Sequence, residues 1–213
     1  MTKAAIFDLD GTIADTIPDI TTAISASRAL RGLPPVDEAF VLTFINGDSH
    51  DFMRSAFPNA TAEQAAEWLS DYARIYSECM LQKTKPYNGV TELLLSLKEK
   101  GIKLAVFSNK DDEHVKKICA ALFPGIFDIT LGAGIFPSKP APDGALDILH
   151  RFGVRADEAV YIGDSDVDIK TARNALIRAV GVSWGYRGRD YLENLGGCDV
   201  VDGASEILNE ILK

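Results

Sequence analysis

Lys3-Ala-Ala-Ile-Phe-Asp-Leu-Asp-Gly-Thr12 opens with a short apolar run that breaks at once into Asp-Gly, the pattern of a strand buried on both faces and ended by a turn. Three later segments repeat it. Ile102-Lys-Leu-Ala-Val-Phe107 runs into Ser-Asn, Ala159-Val-Tyr-Ile162 into Gly-Asp, and Ile177-Arg-Ala-Val-Gly-Val182 into Ser-Trp-Gly. Helical patterns separate them: Val90, Leu93, Leu94 and Leu97 share one face before Gly101, and a second helix is expected from Pro142 to about Phe152. Strands that alternate with helices pair in parallel, and right-handed crossovers bring their C-terminal ends to one edge of the sheet. An α/β fold with a doubly wound, Rossmann-like parallel sheet follows, and in such folds that edge carries the chemistry.

Between Asp15 and about Thr84 the pattern changes to helical stretches interrupted by Pro34-Pro35, Asn46-Gly47 and Pro58-Asn59. Ala65, Trp68, Leu69, Tyr72 and Tyr76 fall on one helix face, a spacing that reads as core packing within an all-helical insert. The expected division is a core of residues 1–14 and 84–213 with a helical cap of residues 15–83. Leaving the sheet directly after the first strand, the cap would sit above the catalytic edge like a lid.

The 213 residues are 46% hydrophobic and 25% charged, the balance of a folded globular chain, with 31 acidic against 22 basic residues. A net charge of −9 speaks against nucleic acid or an anionic membrane surface as partner. No basic leader and no long apolar run is present, so neither export nor membrane spanning is expected and the cytoplasm is the expected compartment. Cys79, Cys119 and Cys198 show no ligand spacing and read as buried thiols. His114 and His150 also lack ligand spacing and are expected on the surface. No heptad or long edge strand speaks to an oligomeric state.

Asp8 and Asp10 lie two residues apart at the end of the first strand. Two like charges so close repel, and burying both without a shared cation or proton would cost several kcal/mol. The pair therefore suggests a divalent metal or an acid/base couple. Ser108 and Asn109 end the second strand, Lys139 stands in Ser138-Lys-Pro-Ala-Pro-Asp143 before a helix, and Asp164 and Asp168 lie one helical turn apart in Gly163-Asp-Ser-Asp-Val-Asp168. Each has a bland reading as a cap, a solvated cation or helix-start charges. Together they supply carboxylates for Mg2+ and a hydroxyl, an amide and an ammonium for phosphate oxygens.

With these four segments in this order across nearly the whole chain, the sequence resembles the haloacid dehalogenase-like hydrolases. It looks most like their phosphoglycolate phosphatase branch, to which Gly181-Val-Ser-Trp-Gly-Tyr-Arg187 is also similar. The resemblance implies a Mg2+-dependent phosphatase acting on a small phosphorylated metabolite through an aspartyl phosphate. It makes Asp8 the nucleophile and Asp10 the general acid/base. By the same resemblance Ser108, Asn109 and Lys139 bind the phosphoryl group, and Asp8, Asp164 and the backbone carbonyl of Asp10 hold the metal. Thr12 and Asp168 support them from behind, Asp168 orienting the metal waters or Lys139. Dehalogenating members lack the second Asp of the first motif, so Asp10 argues for phosphoryl transfer.

The cap should select the leaving group. In related caps a glycine-containing loop faces the catalytic edge, and the candidate here is Ile45-Asn-Gly-Asp-Ser-His50, with Gly47, Asp48 and His50 as specificity residues. Asp48 would repel a substrate carboxylate unless His50, Arg54 or Arg28 answers it. Two alternatives stand beside the phosphatase: a sugar-phosphate mutase of the same family, and a phospho-accepting receiver-like module. The 70-residue helical insert and the nucleophile on the first strand count against the receiver, which has about 120 residues and no use for the insert.

Overall fold

A computed structural model describes residues 1–45 and 49–212, with residues 49–51 described in backbone only. The chain divides into two compact units, one of Met1–Ala14 with Pro86–Lys213 and one of Asp15–Lys85. The first is built on the strands β1 (Ala4–Phe7), β4 (Lys103–Asp111), β5 (Ile129–Ala133), β6 (Ala159–Gly163), β7 (Arg178–Val182) and β8 (Asp199–Val201). They form one six-stranded sheet in the order β5-β4-β1-β6-β7-β8, and every pairing is parallel. The expected doubly wound α/β fold is the one observed. β5 and β8, the two edge strands, add to the four expected from the sequence.

The helices of this unit are α5 (Val90–Glu99), α6 (Asp112–Leu122), α7 (Asp143–Phe152), α8 (Asp166–Asn174), α9 (Arg189–Leu195) and, after the last strand, α10 (Ala204–Leu212). Ala4 and Ile6 of β1 join a core cluster with Phe107, Ile148, Phe152, Tyr161 and Ile169. Ala5 and Phe7, equally buried, point to the other face by the two-residue period of a strand. Burial on both faces explains why β1 reads as a continuous apolar run rather than an alternating one. It also fixes the frame: β1 is flanked by β4 and β6, so the loops after all three strands meet at one edge.

The second unit holds α1 (Ile17–Ala29), α2 (Glu38–Leu42), α3 (Ser49–Ala56) and α4 (Ala62–Cys79), while the short strands β2 (Ala14–Asp15) and β3 (Lys85–Pro86) mark where the chain enters and leaves it. Helix α4 starts at a reciprocal capping box between Thr61 and Gln64. Its aromatic face packs as expected: Trp68 meets Phe57, Tyr72 meets Phe52, and Tyr72 stacks on Tyr76. Asp19 of α1 is wholly buried and accepts the backbone N–H groups of Lys83 and Thr84 and the Thr84 hydroxyl, tying the first helix to the returning chain. Among the described residues, no helix is long and apolar enough to cross a membrane.

Cys79 and Cys119 are buried and Cys198 partly so. Burial pushes the Cys119 thiol up to about 12, which keeps it protonated and unreactive. His114 departs from the surface position expected for it. It lies in the first turn of α6 with only 7% of its surface exposed, and burial lowers its pKa against the opposing pull of Asp111. His150 is exposed, as expected.

Candidate active site

The backbone leaves β1 through a tight loop. The N–H groups of Thr12, Ile13 and Ala14 all point to the Leu9 carbonyl, and Gly11 takes φ +80°, a conformation that glycine adopts without strain. This loop delivers Asp8 and Thr12 to the sheet edge, 8% and 1% exposed. The Thr12 hydroxyl donates to Asp164 Oδ1 at 2.9 Å and the Tyr186 N–H to Asp164 Oδ2 at 2.8 Å, so Asp164 is gripped at both oxygens. Trp184 Nε1 donates to the Thr12 carbonyl and steadies the loop.

Asp168 faces the same point from the first turn of α8. Its Oδ2 accepts the Ser165 hydroxyl at 2.6 Å and the Ser165 N–H at 3.1 Å, and its Oδ1 accepts Lys139 Nζ at 2.7 Å. Lys139 Nζ also stands 2.9 Å from Asp8 Oδ1. That separation makes an ion pair, but its alignment misses hydrogen-bonding geometry, so this buried oxygen accepts no hydrogen bond. Asn109 bonds reciprocally to the Lys139 backbone, its Oδ1 accepting the N–H at 2.8 Å and its Nδ2 donating to the carbonyl at 3.1 Å. Its side chain thus holds the lysine in place instead of presenting a free amide. Ser108, 3% exposed, accepts the Lys110 N–H through Oγ, which leaves its hydroxyl hydrogen to donate.

The electrostatics follow from crowding. Burial pushes the Asp8 carboxyl up to about 7; Lys139 works against that rise, and Asp168 and Asp10 add to it. Burial also raises Asp164 well above its ordinary value, helped by Asp168 and Asp8 and opposed by the Tyr186 and Thr12 hydrogen bonds. For Lys139 burial alone would lower the pKa, yet Asp168 and Asp8 outweigh it and hold the ammonium well above its ordinary value. Asp8, Asp164 and Asp168 each offer an oxygen within 4.8 Å of the others'. Three buried carboxylates around one ammonium leave an excess of negative charge. The unbonded Asp8 oxygen and this donor set, all oxygen, fit a hard divalent cation.

A profile of the haloacid dehalogenase-like hydrolases matches residues 5–182, most of the chain. The chain belongs to that family. This hydrolase is 33% identical over 190 residues to a phosphoglycolate phosphatase of Mannheimia succiniciproducens, covering 84% of this chain and 85% of the relative. It is 30% identical over 213 residues to an N-acetylmuramic acid 6-phosphate phosphatase of Pseudomonas aeruginosa, covering 97% and 93%. A solved structure from Lactobacillus delbrueckii subsp. bulgaricus, provisionally named a phosphoglycolate phosphatase, superimposes with a TM-score of 0.92 at 33% identity over 99% of both chains. With these relatives the hydrolase is a phosphatase, and the relatives' names differ in the leaving group.

Within this phosphatase the residues expected at the core site lie together, with three differences of detail, the first being the Asn109 amide, which bonds the Lys139 backbone where a phosphate contact was expected. Asp168 joins the carboxylate cluster, whereas the Asp10 side chain turns to Lys110, which meets its two oxygens at 2.9 and 3.1 Å. Lys110 was not foreseen, although it follows Ser108-Asn109 directly. Gly185 was not foreseen either: a Cβ there would fall 2.2 Å from the Asp164 Cβ and 2.5 Å from the Gly11 carbonyl oxygen. Its signal was the Trp-Gly-Tyr turn after β7. The cap candidates Gly47 and Asp48 and the His50 side chain lie outside the described residues.

Proposed function

We propose that this phosphatase hydrolyses a small phosphomonoester with a carboxylated leaving group, phosphoglycolate being the first candidate, through an aspartyl phosphate on Asp8. The observation that carries the reading is the Asp8 carboxylate: buried, with one oxygen accepting no hydrogen bond, and backed by an ammonium at 2.9 Å. Burial strips this carboxylate of solvent and the ammonium fixes its place, so it can be presented to phosphorus as a nucleophile. Substrate chemistry is supported by the relatives, since glycolate and muramic acid are both carboxylic acids.

The residues divide the work as follows. Lys139 and the Ser108 hydroxyl draw charge from the phosphoryl oxygens, which otherwise repel an incoming carboxylate. Asp8 forms a bond to phosphorus while the bond from phosphorus to the leaving oxygen breaks, and Asp10 protonates that oxygen. Water then attacks the aspartyl phosphate, Asp10 takes its proton, and inorganic phosphate departs with Asp8 restored. Asp8 and Asp164, with the Asp10 carbonyl, would hold Mg2+. When bound it supplies further neutralisation of the carboxylate and phosphoryl charges.

The test is a panel of phosphorylated metabolites with Mg2+, scored by phosphate release for wild type and Asp8→Asn. Release should be catalytic, favour carboxylated esters, and fall by about a hundredfold or more in the variant. Near wild-type turnover in Asp8→Asn would overturn the covalent route. Transfer of phosphate to a sugar rather than to water would make the enzyme a mutase.

A further inference from the structure

We propose that Lys110 is the positioning residue for Asp10, the side chain that aims its carboxyl at the leaving oxygen. The proposal rests on the assignment of Asp10 as the proton-transfer group. Lys110 lies at the end of β4 and Asp10 in the loop that follows its parallel neighbour β1, and the β4 register breaks between Phe107 and Asp111. A register break of this kind re-aims side chains at the end of a strand. Here it covers Ser108, Asn109 and Lys110, so one irregularity sets the phosphate-facing hydroxyl, the residue that clamps Lys139 and the partner of Asp10. The Ser108 hydroxyl accepts the Lys110 N–H, which couples the two positions directly.

The contact is also sheltered. The Lys110 side chain is 8% exposed and that of Asp10 17%, so the pair is far less screened than a surface ion pair. Two ammoniums here pair with three carboxylates: Lys139 stands with Asp8 and Asp168, Lys110 with Asp10. Asp10 is thereby kept from turning toward Lys139 and crowding the nucleophile. Lys110 Nζ reaches both Asp10 oxygens, at 2.9 and 3.1 Å, so this one contact fixes the direction and the plane of the carboxyl together.

The experiment compares kcat/KM for three probes, phosphoglycolate, ethyl phosphate and p-nitrophenyl phosphate, in wild type, Lys110→Met, Lys110→Arg, Asp10→Asn and the double variant Asp10→Asn with Lys110→Met, all with Mg2+. This parameter reports the first phosphoryl transfer, where alkoxides need a proton and p-nitrophenolate does not. Lys110→Met should lower the alkyl-to-aryl ratio of kcat/KM by about tenfold or more, equally for both alkyl esters. Asp10→Asn should lower it further, the double variant should match Asp10→Asn, and Lys110→Arg should recover most of the ratio because its fork still meets a carboxylate. An unchanged ratio in Lys110→Met beside a fallen one in Asp10→Asn overturns the role of Lys110 alone. A loss confined to phosphoglycolate overturns it too, making Lys110 a reader of substrate charge. An unchanged ratio in Asp10→Asn overturns the assignment of Asp10, and the proposal with it. Thermal melts separate misfolding from misplacement: a Lys110→Met protein that melts early and loses all three substrates alike would make the role structural.

Discussion

Lys139 Nζ stands 2.7 Å from Asp168 Oδ1, and neither side chain reaches solvent, at 3% and 0% exposure. Ser165 holds the other Asp168 oxygen with two hydrogen bonds, so the carboxylate cannot swing away. The ammonium is thereby fixed beside Asp8 whatever bonds Asp8 makes. Asp168→Asn keeps the volume but removes the counter-charge from a buried pair, a change that costs about 3 kcal/mol or more. Denaturant midpoints should fall accordingly and kcat should drop with them. A variant as stable and as fast as wild type would show that Asp8 alone holds the lysine.

The pH response of the metal-free protein follows from the carboxylates. Burial raises Asp8 from 3.8 to about 7 and raises Asp164 as well, so the folded protein binds these protons more tightly than the unfolded chain. The resulting stability is full below about pH 4 and is lost as pH climbs through 7. A divalent cation needs the ionised form and competes with the protons. Calorimetry in EDTA and in saturating Mg2+ should therefore show a rise in Tm that grows from about pH 5.5 to about pH 8. An equal rise at both values would place the metal away from these carboxylates.

Two glycines in one loop should behave differently. At Gly185 an added Cβ meets the Asp164 Cβ at 2.2 Å and the Gly11 carbonyl at 2.5 Å, neither of which can rotate aside. Gly185→Ala should cost about 1–3 kcal/mol through overpacking, and should weaken Mg2+ binding by displacing Asp164. At Gly188, φ is +75° with open space around it, so Gly188→Ala meets only backbone strain, about 1–2 kcal/mol, and Mg2+ affinity should hold. Titration calorimetry with Mg2+ separates the two, and equal affinities would remove Gly185 from the account.

Local chemistry made much of this readable. β1 announces itself because both of its faces are buried, and Asp8, Asp10, Ser108 and Asp164 each follow an apolar run at the sheet edge, where a parallel sheet must present them. β5 and β8 carry weak patterns because Ile129-Thr-Leu-Gly-Ala133 has only two large apolar residues and Asp199-Val-Val201 is three residues long. Such segments become strands by pairing with β4 and β7, not by their own pattern. His114, expected on the surface because it lacks ligand spacing, is buried because α6 turns it inward.

The sequence by itself determined the layered α/β architecture and the helical insert, because periodicity and turn chemistry act over a few residues; the roles expected of Asp8 and Asp10 came from the resemblance to the family. The tertiary structure decided which polar groups meet. Lys110 and Asp10 are 100 positions apart, and Asn109 and Lys139 are 30 apart. Their contacts depend on parallel register, a break in β4 and the close approach of two loops around glycine, none of which any short stretch of sequence encodes. Burial did the rest: it pushes the Asp8 carboxyl from 3.8 up to about 7 against the pull of Lys139, with Asp168 and Asp10 adding to the rise.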